Sequence, residues 1–293
     1  MKSSTVRLID AMIVGAEKAG TTSLANYLGS HPDICTHEKR EFNYFVVDSE
    51  YSIGYEAAYE RYFAACGPET HRLIGKSVAV CTTPNAIRRL YEHNPEMLVV
   101  FVLRNPIDRA YSAYWYSKRR GWEDAQDFET AITREMQCET NRESGMVRSA
   151  YLKNGMYTAQ IELLQSYFGK SRVLIFTFER LKRSPESICQ EVFSRLGVDD
   201  RYAIDTSKRF NESAKARSEK LAMALSHRGK YKKYLRRMIP RKLADTLKKH
   251  LVQWNEVPLN KPVMNEDTRQ LLMEHYKPEI DKLRKLVGSE ILW

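Results

Sequence analysis

The sequence predicts an α/β protein with a P-loop-like, three-layer fold, in which helices flank a central parallel sheet and a helical part follows. Three observations predict this fold. Strand-type apolar runs alternate with helix-type patterns through the first 207 residues, a glycine-bounded loop follows the first run, and the last third lacks strong strand patterns. We therefore expect one domain over residues 1–293, with an α/β core at 1–207 and a basic, mainly helical C-terminal part at 208–293.

The elements of the core follow in order from their apolar runs and turn residues. Short apolar runs bounded by turn residues predict four buried strands: Leu8–Val14, Leu73–Val80, Met97–Leu103 and Val173–Phe178. Helical spacing and Pro residues in a first helical turn predict helices at Thr22–Leu28, at Tyr55–Ala65, from Pro84 onward, at Asn105–Arg119 and at Tyr157–Phe168. Strands that alternate with helices favour parallel pairing.

Length and composition indicate a globular protein. Of the 293 residues, 43% are hydrophobic, which is enough for a sizeable core, and 29% are charged, which is ordinary for a soluble chain. No apolar run reaches the roughly 18 residues that a membrane span needs. The short apolar run near the start contains Asp10 and is interpreted as a buried strand, not as a secretory signal. The expected location is therefore the cytoplasm, without a membrane partner.

The cysteines favour free thiols over a disulfide framework or a zinc site. They are five in number, scattered, and never spaced as C-x-x-C, at Cys35, Cys66, Cys81, Cys138 and Cys189. An odd, scattered set of this kind is typical of a reducing compartment.

The net charge of +10 is concentrated in one segment. Lys208–His250 contains 15 Lys and Arg residues against 3 acidic residues. A solvated helical face and a surface for an anionic partner are both consistent with this segment. Tyr231 and Tyr234 lie among its cations, which leaves a basic nucleic-acid-binding protein as one alternative function, although no recognised nucleic-acid-binding motif accompanies them.

The loop after the first strand predicts an anion site. Gly15 and Gly20 have the spacing of an ATP-type phosphate loop, but Thr21 stands where that loop has lysine, and the lysine is inside the loop, at Lys18. Backbone N–H groups and the start of a helix favour bound phosphate there.

A second candidate site follows the clearest strand. Arg104 comes directly after it, and Ser112 lies two turns into the next helix. Arginine and a hydroxyl suit one phosphate group, and ligands gather at the carboxyl ends of parallel strands. No strand ends in an acidic residue that would complete a magnesium site. This absence argues against the other alternative function, an ATP-dependent P-loop kinase. It predicts that cationic side chains, without a metal, bind an anionic donor.

Both sites resemble the family of sulfotransferases that use 3′-phosphoadenosine 5′-phosphosulfate (PAPS). Lys18–Leu24 resembles the family's 5′-phosphosulfate loop, and Arg104–Ser112 resembles its 3′-phosphate motif. Further segments are similar to the heparan-sulfate-type and bacterial branch, at Glu41–Phe45, Gly75–Ser77, Gly155–Tyr157 and Phe193–Val198. The chain also resembles natural-product tailoring sulfotransferases such as those of the saxitoxin pathway.

The resemblance implies a role for each matching residue of the donor site. Lys18 would contact the oxygen that bridges phosphate and sulfate, Arg104 and Ser112 would hold the 3′-phosphate, and Tyr157 would support the cofactor. The 5′-phosphate would lie on the rest of the loop, Ala19, Gly20, Thr21, Thr22 and Ser23.

Around the reacting sulfuryl group, Lys76 would lie close by, and Glu41 would act as the general base. His37 is the alternative base, because the cytosolic branch of the family uses a histidine. Lys261, within Leu259–Pro262, is the best candidate for the family's late basic loop over the cofactor.

The expected reaction moves a sulfuryl group from PAPS to a hydroxyl or amine of a small-molecule acceptor by in-line displacement and leaves the 3′,5′-bisphosphate PAP. Neither a metal nor a nucleic-acid partner is expected. The sequence names neither the acceptor nor the oligomeric state.

Overall fold

The computed structural model describes residues 6–37, 41–67, 69–140, 150–206, 214–225, 250–252, 254–258, 261–288, 291 and 293. The chain groups into two units, one formed by 1–105, 156–211 and 277–293 and the other by 106–155 and 212–276. The single domain divided near residue 207 stays a prediction. Tyr231 and Tyr234 of the basic segment lie outside the described residues.

The first unit contains a five-stranded sheet in which all neighbouring strands are parallel, in the order β2-β3-β1-β4-β5. Its strands are β1 (Ala11–Gly15), β2 (Ile34–Thr36), β3 (Arg72–Lys76), β4 (Leu98–Leu103) and β5 (Val173–Thr177). Every residue of β1 and β4 is buried, as expected for central strands that are covered on both faces. The predicted α/β fold with a central parallel sheet is confirmed.

The helices account for most of the remaining described residues. In chain order they are α1 (Thr21–Leu28), α2 (Asp48–Tyr51), α3 (Tyr55–Phe63), α4 (Pro84–His93), α5 (Pro106–Arg119), α6 (Phe128–Thr140), α7 (Thr158–Phe168), α8 (Phe178–Arg183), α9 (Pro185–Leu196), α10 (Glu219–Leu225) and α11 (Glu266–Val287).

Local chemistry explains where these helices begin and end. Pro84 and Pro185 lie in the first turns of α4 and α9, where their fixed φ suits the helix and no N–H is needed. Gly197 ends α9 in the left-handed conformation, at φ 67°, and the Val198 N–H donates to the Phe193 carbonyl. This is the usual way to satisfy the last carbonyls of a helix.

The second unit is organised around buried charge. The fully buried Arg109 donates to the Tyr151 carbonyl. Glu135, only 3% exposed, accepts the backbone N–H groups of Tyr151, Leu152 and Lys153. A carboxylate that accepts three backbone N–H groups fixes the turn that leads into the 3-10 helix at Lys153–Gly155.

The predicted strands differ from the observed strands in three places. β2 was not predicted, because three residues are too few to show an alternating pattern. The C-terminal part also contains strands, since β6 (Ala214–Ala216) pairs antiparallel with β7 (Glu256–Pro258). The predicted strand at 73–80 ends at Lys76, because the chain turns there and the Val80 N–H donates to the Ser77 carbonyl.

The prediction that the cysteines are free is wrong for Cys35 and Cys66. The two form a disulfide between the middle residue of β2 and the segment after α3, with 5.7 Å between their Cα atoms. The spacing of the cysteines did not predict this disulfide, because its two residues are 31 positions apart and only the tertiary structure brings them together. Cys81 and Cys189 are buried free thiols, as predicted, and the Cys138 side chain lies outside the described residues.

Reduction of this disulfide is expected to lower the free energy of unfolding by about 3 kcal/mol, because a closed loop restricts the unfolded chain. Chemical denaturation with and without a dithiol reductant measures the loss. The double variant Cys35→Ser/Cys66→Ser should match the reduced wild type and should not respond to reductant. A reductant effect of equal size in the double variant would contradict the assignment.

His93 is expected to make the fold sensitive to mild acid. It accepts the Ile9 N–H at Nε2, and burial lowers its pKa to about 4. The unfolded histidine takes up a proton near pH 6.5, so the free energy of unfolding falls between pH 6.5 and 4, by roughly 2–3 kcal/mol. In His93→Gln, which keeps an acceptor but does not titrate, denaturation curves across this range should show a correspondingly smaller fall.

Candidate active site

The loop between β1 and α1 has the geometry of an anion-binding turn. Lys18 and Gly20 both take left-handed backbone conformations, with φ of 68° and 82°. Glycine is the residue that tolerates this conformation, whereas for lysine it is uncommon. The first turn of α1 has no acidic residue, and the residue that caps it, Gly20, has no side chain to satisfy its N–H groups. The positive end of the helix is therefore suited to an anion.

A buried lysine joins this loop to the end of β3. The side chain of Lys76 is only 4% exposed, and its ammonium donates to Glu41 Oε1 at 2.8 Å and to Thr22 Oγ1 at 3.4 Å. Glu41 Oε2 accepts the Val78 N–H at 3.1 Å. A buried ammonium without a partner would be strongly destabilising, so the ion pair satisfies both groups. The structure thus brings Thr22, Glu41 and Lys76 together.

His37 lies in the same region but makes a backbone contact. Its Nε2 accepts the Lys76 backbone N–H at 3.0 Å, and its Nδ1 is buried. An acceptor Nε2 places the proton of the neutral ring on Nδ1. The only basic nitrogen of His37 is therefore already used, whereas Glu41 is 26% exposed at its side chain.

Arg104 connects the end of β4 to the loop. Its guanidinium donates to the Lys18 carbonyl at 2.7 Å and lies over the Phe178 ring, 4.7 Å from the centroid. The hydroxyl of Tyr157, which is completely buried, donates to the Arg104 carbonyl at 2.9 Å. Arg104 and Tyr157, predicted as separate site residues, are therefore in direct contact with each other.

In the second unit, Ser112 and Lys261 meet. Ser112 lies on α5 and is 5% exposed, and the Lys261 ammonium donates to its hydroxyl at 3.1 Å. The two residues are 149 positions apart in sequence. The role of Lys261 as the cation of a late basic loop stays a prediction. Leu259 and Asn260 of that loop lie outside the described residues.

Sequence reasoning missed two contributors. Phe178 was assigned to a buried strand, but it begins α8 and packs beside the loop, where a Cβ on Gly20 would meet it at 3.1 Å. Its position just past the end of a parallel strand was an available signal. The second contributor is the Val78 N–H, which donates to Glu41. Val78 lies in a turn, whereas the apolar run had predicted a strand through this residue.

The arrangement is suited to moving a group from an anionic donor. It combines a helix N-terminus and a loop lysine with a carboxylate held on a buried ammonium. These features define a P-loop-like protein whose first loop and helix start are suited to an anion. In the described part of the chain, no group of three or more His, Cys, Asp or Glu side chains is arranged to hold a metal ion.

Comparison with known proteins identifies the family. The model of the sulfotransferase domain matches residues 8–255, which is most of the chain, and the chain therefore belongs to this family. The predictions of the family and of a transferase are confirmed, and the kinase alternative gains no support.

Curated relatives share the domain at low identity. The mouse bifunctional heparan sulfate N-deacetylase/N-sulfotransferase 3 is 26% identical over 202 residues, which cover 67% of this chain and 23% of the relative. The membrane-associated sulfotransferase kil1 of Dictyostelium discoideum is 33% identical over 107 residues, which cover 36% of this chain and 22% of the relative. The chain thus spans about a quarter of the length of these relatives.

A solved structure shows the same fold. The sulfotransferase from Alicyclobacillus acidocaldarius aligns with a TM-score of 0.67 at 24% identity, and the match covers 96% of each chain. Among the residues that the structure describes, no helix is long and apolar enough to span a membrane.

Substitution of Gly20 should show how tightly the loop is packed. In Gly20→Ala the new Cβ would lie 3.0 Å from Leu181 and 3.1 Å from Phe178, in addition to the left-handed strain. We expect a loss of roughly 2–3 kcal/mol in the free energy of unfolding. The matched control is Gly197→Ala, which is also left-handed but meets no atom closer than 3.8 Å. It should lose about 1 kcal/mol, and equal losses would show that packing at Gly20 is unimportant.

Proposed function

We propose that this chain transfers a sulfuryl group from PAPS to a hydroxyl or amine of a small-molecule acceptor. The observation that carries the proposal is the Lys76–Glu41 ion pair, whose ammonium also donates to Thr22 in the first turn of α1, directly after the phosphate-type loop. It unites an anion site and a candidate base within one unit. Membership of the sulfotransferase family supports the reaction class.

The loop residues would bind the donor through its 5′-phosphosulfate. The backbone of Ala19–Ser23 and the α1 dipole favour the 5′-phosphate, and the left-handed turn at Lys18 and Gly20 fits a backbone that closes around an anion. Neutralisation by Lys18, Lys76 and Arg104 would replace the role that magnesium has in kinases. The proposed transfer therefore needs no metal.

Lys18 would act on the leaving group. As the acceptor atom forms its bond to sulfur, the bond from sulfur to the bridging oxygen breaks, and negative charge grows on the departing phosphate. A lysine directed at that charge stabilises the transition state more than the ground state. Lys76 would stabilise charge near the sulfuryl oxygens and also hold the base in position.

Glu41 would be the general base. Its carboxylate takes the acceptor proton as the new bond forms, a contribution of roughly 10²–10⁴-fold in rate. The Val78 N–H and the Lys76 ammonium fix the orientation of both its oxygens. The backbone contact at Nε2 makes His37 the weaker candidate.

The family resemblance, and not a measured distance, assigns the 3′-phosphate to Arg104, Ser112 and Lys261. The hydrogen bond between Lys261 and Ser112 supports a shared role for these two residues as hydrogen-bond donors to the 3′-phosphate. An ammonium and a hydroxyl together suit one anionic group. Tyr157 would hold Arg104 in place through its carbonyl.

The acceptor in this proposal is a small molecule that carries a hydroxyl or an amine. We keep both amines and hydroxyls in the proposal, since the name of the mouse relative includes N-sulfotransferase activity. We also propose that the chain is a cytoplasmic enzyme of natural-product biosynthesis without a nucleic-acid partner. A panel of hydroxyl and amine acceptors incubated with PAPS and analysed by mass spectrometry tests which acceptor class is sulfated.

Replacement of the base should separate binding from turnover. Glu41→Gln keeps the shape and one acceptor oxygen but cannot take a proton, and because it also removes the charge that pairs with Lys76, its kinetics are measured on protein shown to be folded by circular dichroism. We expect kcat to fall by about 10²–10⁴-fold while the Kd for PAP changes little. Single-turnover kinetics and calorimetry give the two values.

The matched control for Glu41→Gln is His37→Gln, which retains an acceptor for the Lys76 N–H. Its kcat should stay within several-fold of the wild type. If His37→Gln loses turnover and Glu41→Gln retains it, the assignment of the base is reversed.

Arg104 should decide selectivity for the 3′-phosphate. In Arg104→Ala the affinity for PAP should fall by roughly 10–100-fold, the expected effect of losing a charged hydrogen bond, while AMP, which lacks the 3′-phosphate, should lose much less. Isothermal calorimetry with both nucleotides measures this difference. Equal losses for PAP and AMP would remove Arg104 from the 3′-phosphate site.

A further inference from the structure

One face of α5 carries a row of three polar side chains. Asp108, Tyr111 and Ser112 are spaced i, i+3 and i+4, so they lie next to one another on the helix surface. Ser112 is the residue proposed above for the 3′-phosphate. Nothing in the reaction itself uses Asp108 or Tyr111.

All three side chains contact the same short stretch of chain. The Tyr111 hydroxyl donates to the Pro262 carbonyl at 3.0 Å, next to the Lys261–Ser112 hydrogen bond. The Arg269 guanidinium donates to Asp108 Oδ1 at 3.1 Å. We define residues 261–269, which include the first turn of α11, as the arm.

The arm is fixed at its far end as well. Met264 is 5% exposed, whereas its neighbour Val263 is 96% exposed. The Thr268 hydroxyl, in the first turn of α11, donates to Glu129 of α6. The backbone on both sides of Val263 is therefore held, and Lys261 leaves the arm from a defined position.

These contacts matter because a lysine is expensive to immobilise. Its side chain carries about 2 kcal/mol of rotamer entropy, and a free loop would add more. An arm that is already docked spares part of this cost when an anion binds. The Arg269–Asp108 pair is weak alone, because its side chains are 36% and 43% exposed. Together the contacts fix the backbone that carries Lys261.

We propose that Tyr111 and the Asp108–Arg269 pair are positioning residues, which dock the arm on α5 so that Lys261 and Ser112 form a ready-made receptor for the 3′-phosphate. This inference rests on the proposed function. It assigns selectivity for the 3′-phosphate to residues that touch neither the nucleotide nor the reacting atoms.

The first test uses Tyr111→Phe, which keeps the ring packed on Phe128 and Trp115 but loses the hydroxyl. The Kd for PAP should rise about fivefold, the size expected for one lost hydrogen bond, and the Kd for AMP should stay within twofold. Asp108→Asn and Arg269→Gln should have smaller effects of the same kind. The control Arg284→Gln, which breaks an exposed pair with Asp281 on the same α11, should leave both affinities unchanged.

A double-variant cycle then separates positioning from general stability. In a Lys261→Met background, Tyr111→Phe should cause no further loss of PAP affinity, because the cation it positions is gone. Additive losses, an unchanged Kd for PAP, or equal losses for PAP and AMP would each overturn the inference. Failure of the wild type to bind PAP would instead reject the proposed function.

A measurement without nucleotide completes the test. The acetylation rate of Lys261, followed by mass spectrometry in the full chain, should rise several-fold in Tyr111→Phe and stay at the wild-type value in Arg284→Gln. An unchanged rate in Tyr111→Phe would show that the arm is not held by this contact, whatever the protein binds.

Discussion

The site depends on one buried ion pair. Lys76 lies at the end of β3 with its ammonium almost completely removed from water, and Glu41 and Thr22 are its partners. Loss of one partner would leave an uncompensated buried charge, which typically costs several kcal/mol. The pair therefore ties three separate segments together: the end of a strand, the first turn of α1 and the chain that follows β2.

The same constraint explains how the reaction would be organised. The ammonium that must be neutralised for folding holds a carboxylate in a fixed orientation, and that carboxylate is the proposed base. A group that is already fixed needs little reorganisation during the reaction. Arg104 has the equivalent role at β4, since it supports the carbonyl of Lys18 while Tyr157 supports Arg104. Structural contacts thus position the groups that would act on the donor.

Much of the fold and of the donor site could be predicted from sequence because the signals are local. A buried parallel strand shows as a continuous apolar run, and β4 was placed to within one residue. The loop at Lys18–Ser23 follows from glycine spacing within ten residues of chain. Short elements such as β2 and the β6–β7 pair have too few residues to form a pattern. The Cys35–Cys66 disulfide joins partners that no local pattern relates.

The sequence by itself determined the parallel α/β architecture, the anion-binding loop and the kinds of side chain in the site, because backbone geometry and burial impose residue types over a few turns of chain. Only the tertiary structure decided which groups are partners. It assigned Glu41 to Lys76 and His37 to a backbone N–H, and it brought Lys261 to Ser112 across 149 residues. Such pairings depend on how strands and helices are connected in space, and composition and spacing do not encode that connection.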